Sequence, residues 1–115
     1  MEKVAVIHTA FEDKPSTVAF VEVPNDAETL IDKLEYAYRW TNNVMGSWSI
    51  KKKVFDNGEP NGDFNPNVTV MKPTEVIDGQ EWGHRSTSVG DQMLVGNKKY
   101  VVAPLGFETL EGKAI

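Results

Sequence analysis

The sequence predicts an α+β domain: a small antiparallel β-sheet, or a partly open barrel, packed against one amphipathic helix. Three observations predict it. Short β-branched runs recur along the chain, one stretch alone carries helical periodicity, and turn-forming residues separate these segments. At 115 residues, with 40% hydrophobic and 25% charged residues, the chain has the size and composition of a single domain with its own core.

Val4 to Thr9 reads as the first strand and Thr17 to Val23 as the second. The Glu-Asp-Lys-Pro-Ser stretch between them has hairpin-turn chemistry, and Pro24 ends the second strand because it cannot donate to a ladder. Ala27, Leu30, Ile31, Leu34, Ala37 and Tyr38 then recur at three- and four-residue steps, which predicts a helix over about residues 26–41. Asn25 or Asp26 offers its N-cap, Glu28 suits its first turn, and Thr41-Asn42-Asn43 suits its end. Met45 to Ile50 and Lys53 to Phe55 read as short strands, and Asp56 to Pro66 as a solvated loop rich in Asn, Gly and Pro. Val68 to Met71 alternates as a strand, and Asp78-Gly79 marks a turn. Gln92 to Val95, Gly96-Asn97 and Lys98 to Ala103 form a hairpin with a tight loop; Pro104 to Phe107 turns the chain again, with Phe107 and Leu110 closing the core.

Composition removes several function classes. The chain has no cysteine, so disulfides, thiolate nucleophiles and Cys-ligated metals are excluded, and a reducing compartment is the natural setting. The first apolar run is too short for a signal peptide or a membrane span, so the expected location is the cytoplasm, with no membrane partner. A net charge of −5 and a pI near 5.0 disfavour phosphate neutralisation. The basic runs are only Lys51 to Lys53 and Lys98-Lys99, while the acidic residues are too evenly spread to mimic a nucleic acid.

No motif assembles a reaction centre or a cofactor site. His8 and His84 lack metal-ligand partners at helical spacing. From Asn57 the pattern Asn-x-Glu-x-Asn-Gly-Asp-x-Asn imitates the oxygens of a calcium loop. Its last ligand position is Val68 rather than Glu, however, and no helices flank it. His84, Ser86 or Ser88, and Asp91 lie on one short segment, whereas a catalytic triad draws on separate elements. The glycines Gly83, Gly90 and Gly96 lack the Lys and helix of a phosphate loop.

Two clusters stand out. Trp82, His84, Arg85, Ser86, Thr87, Ser88 and Asp91 combine donors with aromatic surface, as a binding edge does. The plainer reading is that the hydroxyls satisfy nearby backbone, Gly90-Asp91 makes a turn, and Arg85 pairs with a carboxylate such as Asp91. The second cluster is Tyr36, Tyr38, Arg39, Trp40, Met45 and Trp48. These are interface-anchor residue types, although tryptophans in so small a domain also serve the core.

The segment from Gly83 to Asp91, followed by a hairpin and then Tyr100 to Leu110, resembles the YodL-like domain family. The matching positions are Arg85, Ser86, Ser88, Val89, Gly90, Asp91, Tyr100, Gly106 and Phe107, and the likeness covers residues 83–110 only. The resemblance implies an accessory protein of phage or mobile-element origin, with no catalytic residues. The leading expectation is therefore a non-catalytic protein that binds a host protein through an exposed apolar–aromatic patch. The alternatives are a nucleic-acid-binding β-domain using Lys51 to Lys53, Arg85, Lys98, Lys99 and Trp82, or a ligand-binding or catalytic pocket near Arg85 and Asp91.

Overall fold

A computed structural model describes residues 2–115. Its main sheet is built from β1 (Lys3–His8), β2 (Ser16–Glu22), β3 (Val68–Val70), β6 (Gln92–Val95), β7 (Lys98–Val102) and β8 (Phe107–Thr109). All pairings are antiparallel and the order is β3-β2-β1-β6-β7-β8. The sheet is open, with β3 and β8 as its edges, so the α+β class stands and barrel closure is not formed.

Register decides which residues enter the core. Val4 faces Val21 and Val95, and Val6 faces Ala19 and Met93, so these side chains share one side of the sheet. Val68, Val102 and Phe107 continue the same apolar surface. A bulge opposite Val6 and Ile7 leaves Val18 unpaired, which lets the successive residues Val18 and Ala19 both be buried.

The helix α1 (Leu30–Trp40) lays Leu34 and Ala37 on this surface, and Tyr38 meets Phe107 edge to face. It is shorter than the periodicity predicts. Thr29 is the N-cap, not Asn25 or Asp26: its hydroxyl accepts from the Asp32 amide while the Asp32 carboxylate accepts from the Thr29 amide. Pro24 to Ala27 makes a separate turn, which leaves Glu28 outside the helix. At the other end Thr41 Oγ1 and Asn42 Nδ2 donate to the carbonyls of Ala37 and Tyr38, closing the last turn.

The strands expected at Met45–Ile50 and Lys53–Phe55 do not form; this region is irregular apart from a bridge between Val54 and Pro60. Its backbone is satisfied by side chains instead. Asn61 Oδ1 accepts from the Ser47 amide, and Asn61 Nδ2 donates to the carbonyls of Ser47, Ile50 and Lys52. Asp63 accepts from the Val44 and Met45 amides and from Arg39. Asn65 donates to the Tyr36 hydroxyl and accepts from the Asn67 amide. The loop expected to be solvated is exposed throughout only over 56–60; beyond it Asn61, Asp63 and Asn65 are buried, alternating with exposed Gly62 and Pro66. Of the alternating oxygens that imitate a calcium loop, those of Asn61, Asp63 and Asn65 point into the protein and bind its own amides, while Asn57 and Glu59 stay exposed.

The strands β4 (Glu75–Ile77) and β5 (Gln80–Trp82) form a separate ribbon. Its turn, Asp78-Gly79, has both residues at positive φ (53° and 79°), the geometry that matches strand twist in a tight hairpin. After β5, Gly83 runs so close to Ser47 and Ser49 that a Cβ there would collide with both hydroxyls. Phe107 is buried as expected, but Leu110 is exposed because the chain leaves the sheet at Thr109.

Candidate functional site

The His8 end of β1 is where distant segments converge. Asp91, fully enclosed just before β6, accepts hydrogen bonds at Oδ1 from the Thr9 amide (2.8 Å), the Ala10 amide (2.9 Å) and Arg85 Nη2 (3.0 Å). At Oδ2 it accepts from Arg85 Nη1 (2.7 Å) and the Ser88 amide (2.8 Å). Burial alone would raise this carboxyl, but the Arg85 guanidinium and the three amides outweigh it and hold the group below its ordinary value. Arg85 also donates to the carbonyls of Ala10 and Ser86, while its buried Nε–H has no partner. The pair thus staples the β1–β2 loop to the segment entering β6.

Behind the clamp runs a buried chain of donors. Thr41 Oγ1 donates to the Ala37 carbonyl (2.8 Å) and Thr87 Oγ1 donates to Thr41 Oγ1 (2.9 Å). That order leaves His8 Nε2, 3.0 Å from Thr87 Oγ1, as the donor, so His8 is the neutral Nε2–H tautomer. Burial pulls its pKa down to about 4, despite the opposing pull of the Asp91 carboxylate 3.9 Å away. Trp48 lies between the two histidines, edge-on to His8 and tilted against His84, with its indole N–H donating to the Arg85 carbonyl. The Asn43 side chain and the Ser86 hydroxyl join the helix end to the same segment.

In front of the clamp, the ribbon and the sheet end enclose a cleft of about 300 Å³. His8, Glu12, Lys72, Glu75, Trp82, His84 and Arg85 line it, over a small apolar floor from Val18 and Pro73. His84 Nε2 lies 2.6 Å from the Lys72 carbonyl, tying the ribbon's two ends together. At the same end of the sheet stand exposed apolar loop tips. Phe11 is 84% exposed on the β1–β2 loop, with the Arg85 guanidinium 5.3 Å from its ring. Leu105, 94% exposed, tips the β7–β8 turn; Val102, at its root, accepts from the Gly90 amide beside exposed Val89. Phe11 also adopts φ 63°, a left-handed conformation that a bulky side chain rarely takes.

The structure thus separates the residues predicted to bind. Arg85, Ser86, Thr87, Ser88 and Asp91 gather as a hydrogen-bonded staple, with Arg85 paired to Asp91. Trp48 and Thr87 are enclosed, so neither offers surface to a partner. Trp82 is 54% exposed on the cleft wall, and His84 lies beside it. Trp40 stays apart, half-buried at the helix end beneath Arg39 and against Tyr36. In the resembling segment, Gly90 (φ 97°) and Gly106 (φ 84°) shape turns, and Phe107 is core. Lys98 and Lys99 leave the β6–β7 turn at the end of the sheet opposite Arg85, and Lys51 bonds the Asn65 carbonyl.

Sequence reasoning weighed His8 only as a metal ligand and passed over Phe11, Glu12, Lys72 and Glu75. One signal pointed to His8: it follows Val4 and Val6 at a spacing of two, which aims it inward. Among the described residues, no cluster of three or more His, Asp or Glu is placed to hold a metal ion, and no helix is long and apolar enough to cross a membrane. No known family model, curated protein or solved structure matches the chain.

Proposed function

We propose that the chain is a non-catalytic binding protein that engages a protein partner through a rim of exposed loop tips at the His8 end of the sheet. Phe11 carries this reading: a bulky aromatic held at positive φ costs about 1–3 kcal/mol of backbone strain, and its exposure returns almost no burial. The cation–π contact with the Arg85 guanidinium, 5.3 Å away and worth about 0.5–1 kcal/mol at an exposed site, returns only part of that strain, which marks a position kept for contact. Leu105 and Val89, on loops at the same end of the sheet, and Trp82 on the cleft wall add exposed apolar surface, and aromatic anchors with apolar neighbours are what protein interfaces use. The polar groups behind the rim serve the fold, since Asp91, Thr87 and Thr41 are each tied to internal partners. The resemblance over residues 83–110 supports a phage or mobile-element origin and a host protein as the partner.

Affinity capture from bacterial lysate tests this with three baits: the wild type, a Phe11→Asp/Leu105→Asp variant, and a Lys98→Glu/Lys99→Glu control at the opposite end. The expected result is one protein retained by the wild type and the control and lost by the rim variant. Retention by the rim variant refutes the proposal.

A further inference from the structure

The cleft beside the rim has a chemistry of its own. Its acceptors outnumber its free donors. Glu12 and Glu75 contribute carboxylates, and His8, whose Nε2–H is engaged by Thr87, keeps only a lone pair at Nδ1. The Arg85 charge is already cancelled by Asp91, and His84 Nε2 is engaged by the Lys72 carbonyl. Trp82 and Glu75 are cross-strand partners, so the half-exposed indole and a carboxylate stand on one face of the ribbon. An aromatic face beside carboxylates is the arrangement that takes an ammonium or guanidinium group. At about 300 Å³ the space is at the lower limit of ligand pockets, which suits a single side chain better than a cofactor.

The chain supplies a poor version of this ligand itself. Lys72 Nζ stands 3.9 Å from Glu12 Oε1, beyond hydrogen-bonding distance, on a side chain that is 46% exposed. So loose an ion pair is easily displaced by a cation that reaches the Trp82 face as well. We infer that the cleft receives a lysine or arginine side chain presented by the protein partner, with Trp82, Glu12 and Glu75 as its walls and Lys72 as the internal competitor. This inference rests on the proposed partner-binding role and names the chemistry of what the partner inserts. One group favours the opposite charge: the buried, unpartnered Nε–H of Arg85 suits an anion, which makes phosphate the necessary control.

The test is a titration of ¹⁵N-labelled protein with N-acetyl-arginine amide, N-acetyl-norleucine amide and inorganic phosphate, read at the Gly83 and His84 amides. A saturable shift at millimolar concentration is expected for the arginine probe alone. Trp82→Ala and Glu12→Gln should each weaken it about two- to fivefold, and Lys72→Ala should strengthen it. The inference is overturned by no saturable shift, by an equal response to norleucine amide or phosphate, by unchanged affinity in the Trp82 and Glu12 variants, or by weaker binding in Lys72→Ala. None of these results touches the capture experiment, so failure of the cleft and failure of the rim are distinguishable.

Discussion

Replacing Asp91 by Ala is the sharpest test of how this fold is held. The carboxylate is fully enclosed and serves the Thr9, Ala10 and Ser88 amides together with Nη1 and Nη2 of Arg85. Its loss strands three backbone donors and leaves the guanidinium without a counter-charge. Removing one partner of a buried, hydrogen-bonded pair costs about 3–5 kcal/mol. A domain of this size has a total stability of about 5–15 kcal/mol, so the variant loses about a fifth of it or more. The melting temperature should fall by about 15 °C. Urea unfolding followed by tryptophan fluorescence reads this directly, because the buried Trp48 indole donates to the Arg85 carbonyl. An Arg85→Ala/Asp91→Ala variant should be little worse than Asp91→Ala alone, with a coupling energy of about 2 kcal/mol. A loss below about 1 kcal/mol in Asp91→Ala would refute the reasoning: water would then serve these amides as well as the carboxylate does.

Acid should weaken the protein in two stages. Folding holds the His8 pKa at about 4 against an ordinary 6.5, so its contribution is complete above pH 6.5 and is lost as pH falls to 4. The loss is about 3 kcal/mol across that window, and His8→Gln should flatten the slope there. The Asp91 contribution, whose carboxyl is depressed, disappears only at still lower pH. Gly83→Ala should destabilise by about 1–3 kcal/mol in thermal melts, because its methyl group would meet the Ser47 and Ser49 hydroxyls; Gly83→Ala/Ser47→Ala should recover part of the loss. Phe11→Gly should leave the melting temperature unchanged or slightly higher while abolishing partner capture, since relieved strain offsets the little contact that is lost. Asp63→Ala should open the 43–67 segment to limited proteolysis, because the Val44 and Met45 amides and Arg39 lose their acceptor.

The elements legible in the sequence are those whose signal is local. Val4 to His8, the repeat from Leu30 to Tyr38 and the Gln92–Val102 hairpin each carry a period or a turn residue that burial reads directly. The helix start was misplaced because Asn25, Asp26 and Thr29 are all competent caps, and only the reciprocal bond with Asp32 selects Thr29. Within the irregular 43–67 region, Met45–Ile50 and Lys53–Phe55 read as strand because Trp48, Ile50 and Val54 have sheet propensity. Propensity yields there to Asn61, Asp63 and Asn65, which satisfy the backbone without a partner strand.

The sequence by itself determined the α+β class, the existence of the helix and the absence of cysteine chemistry, and it offered the pairing of Arg85 with a nearby carboxylate as one of two readings. Tertiary structure alone decided the site. Asp91 meets Thr9, and His8 meets Thr87, across separations of 82 and 79 residues. No local period encodes such a contact, because the enclosed polar groups find their partners only after the sheet has brought both ends of the chain together. The same closure turned Trp48 inward and left Trp82 and Phe11 outside, a division set by packing rather than by residue type.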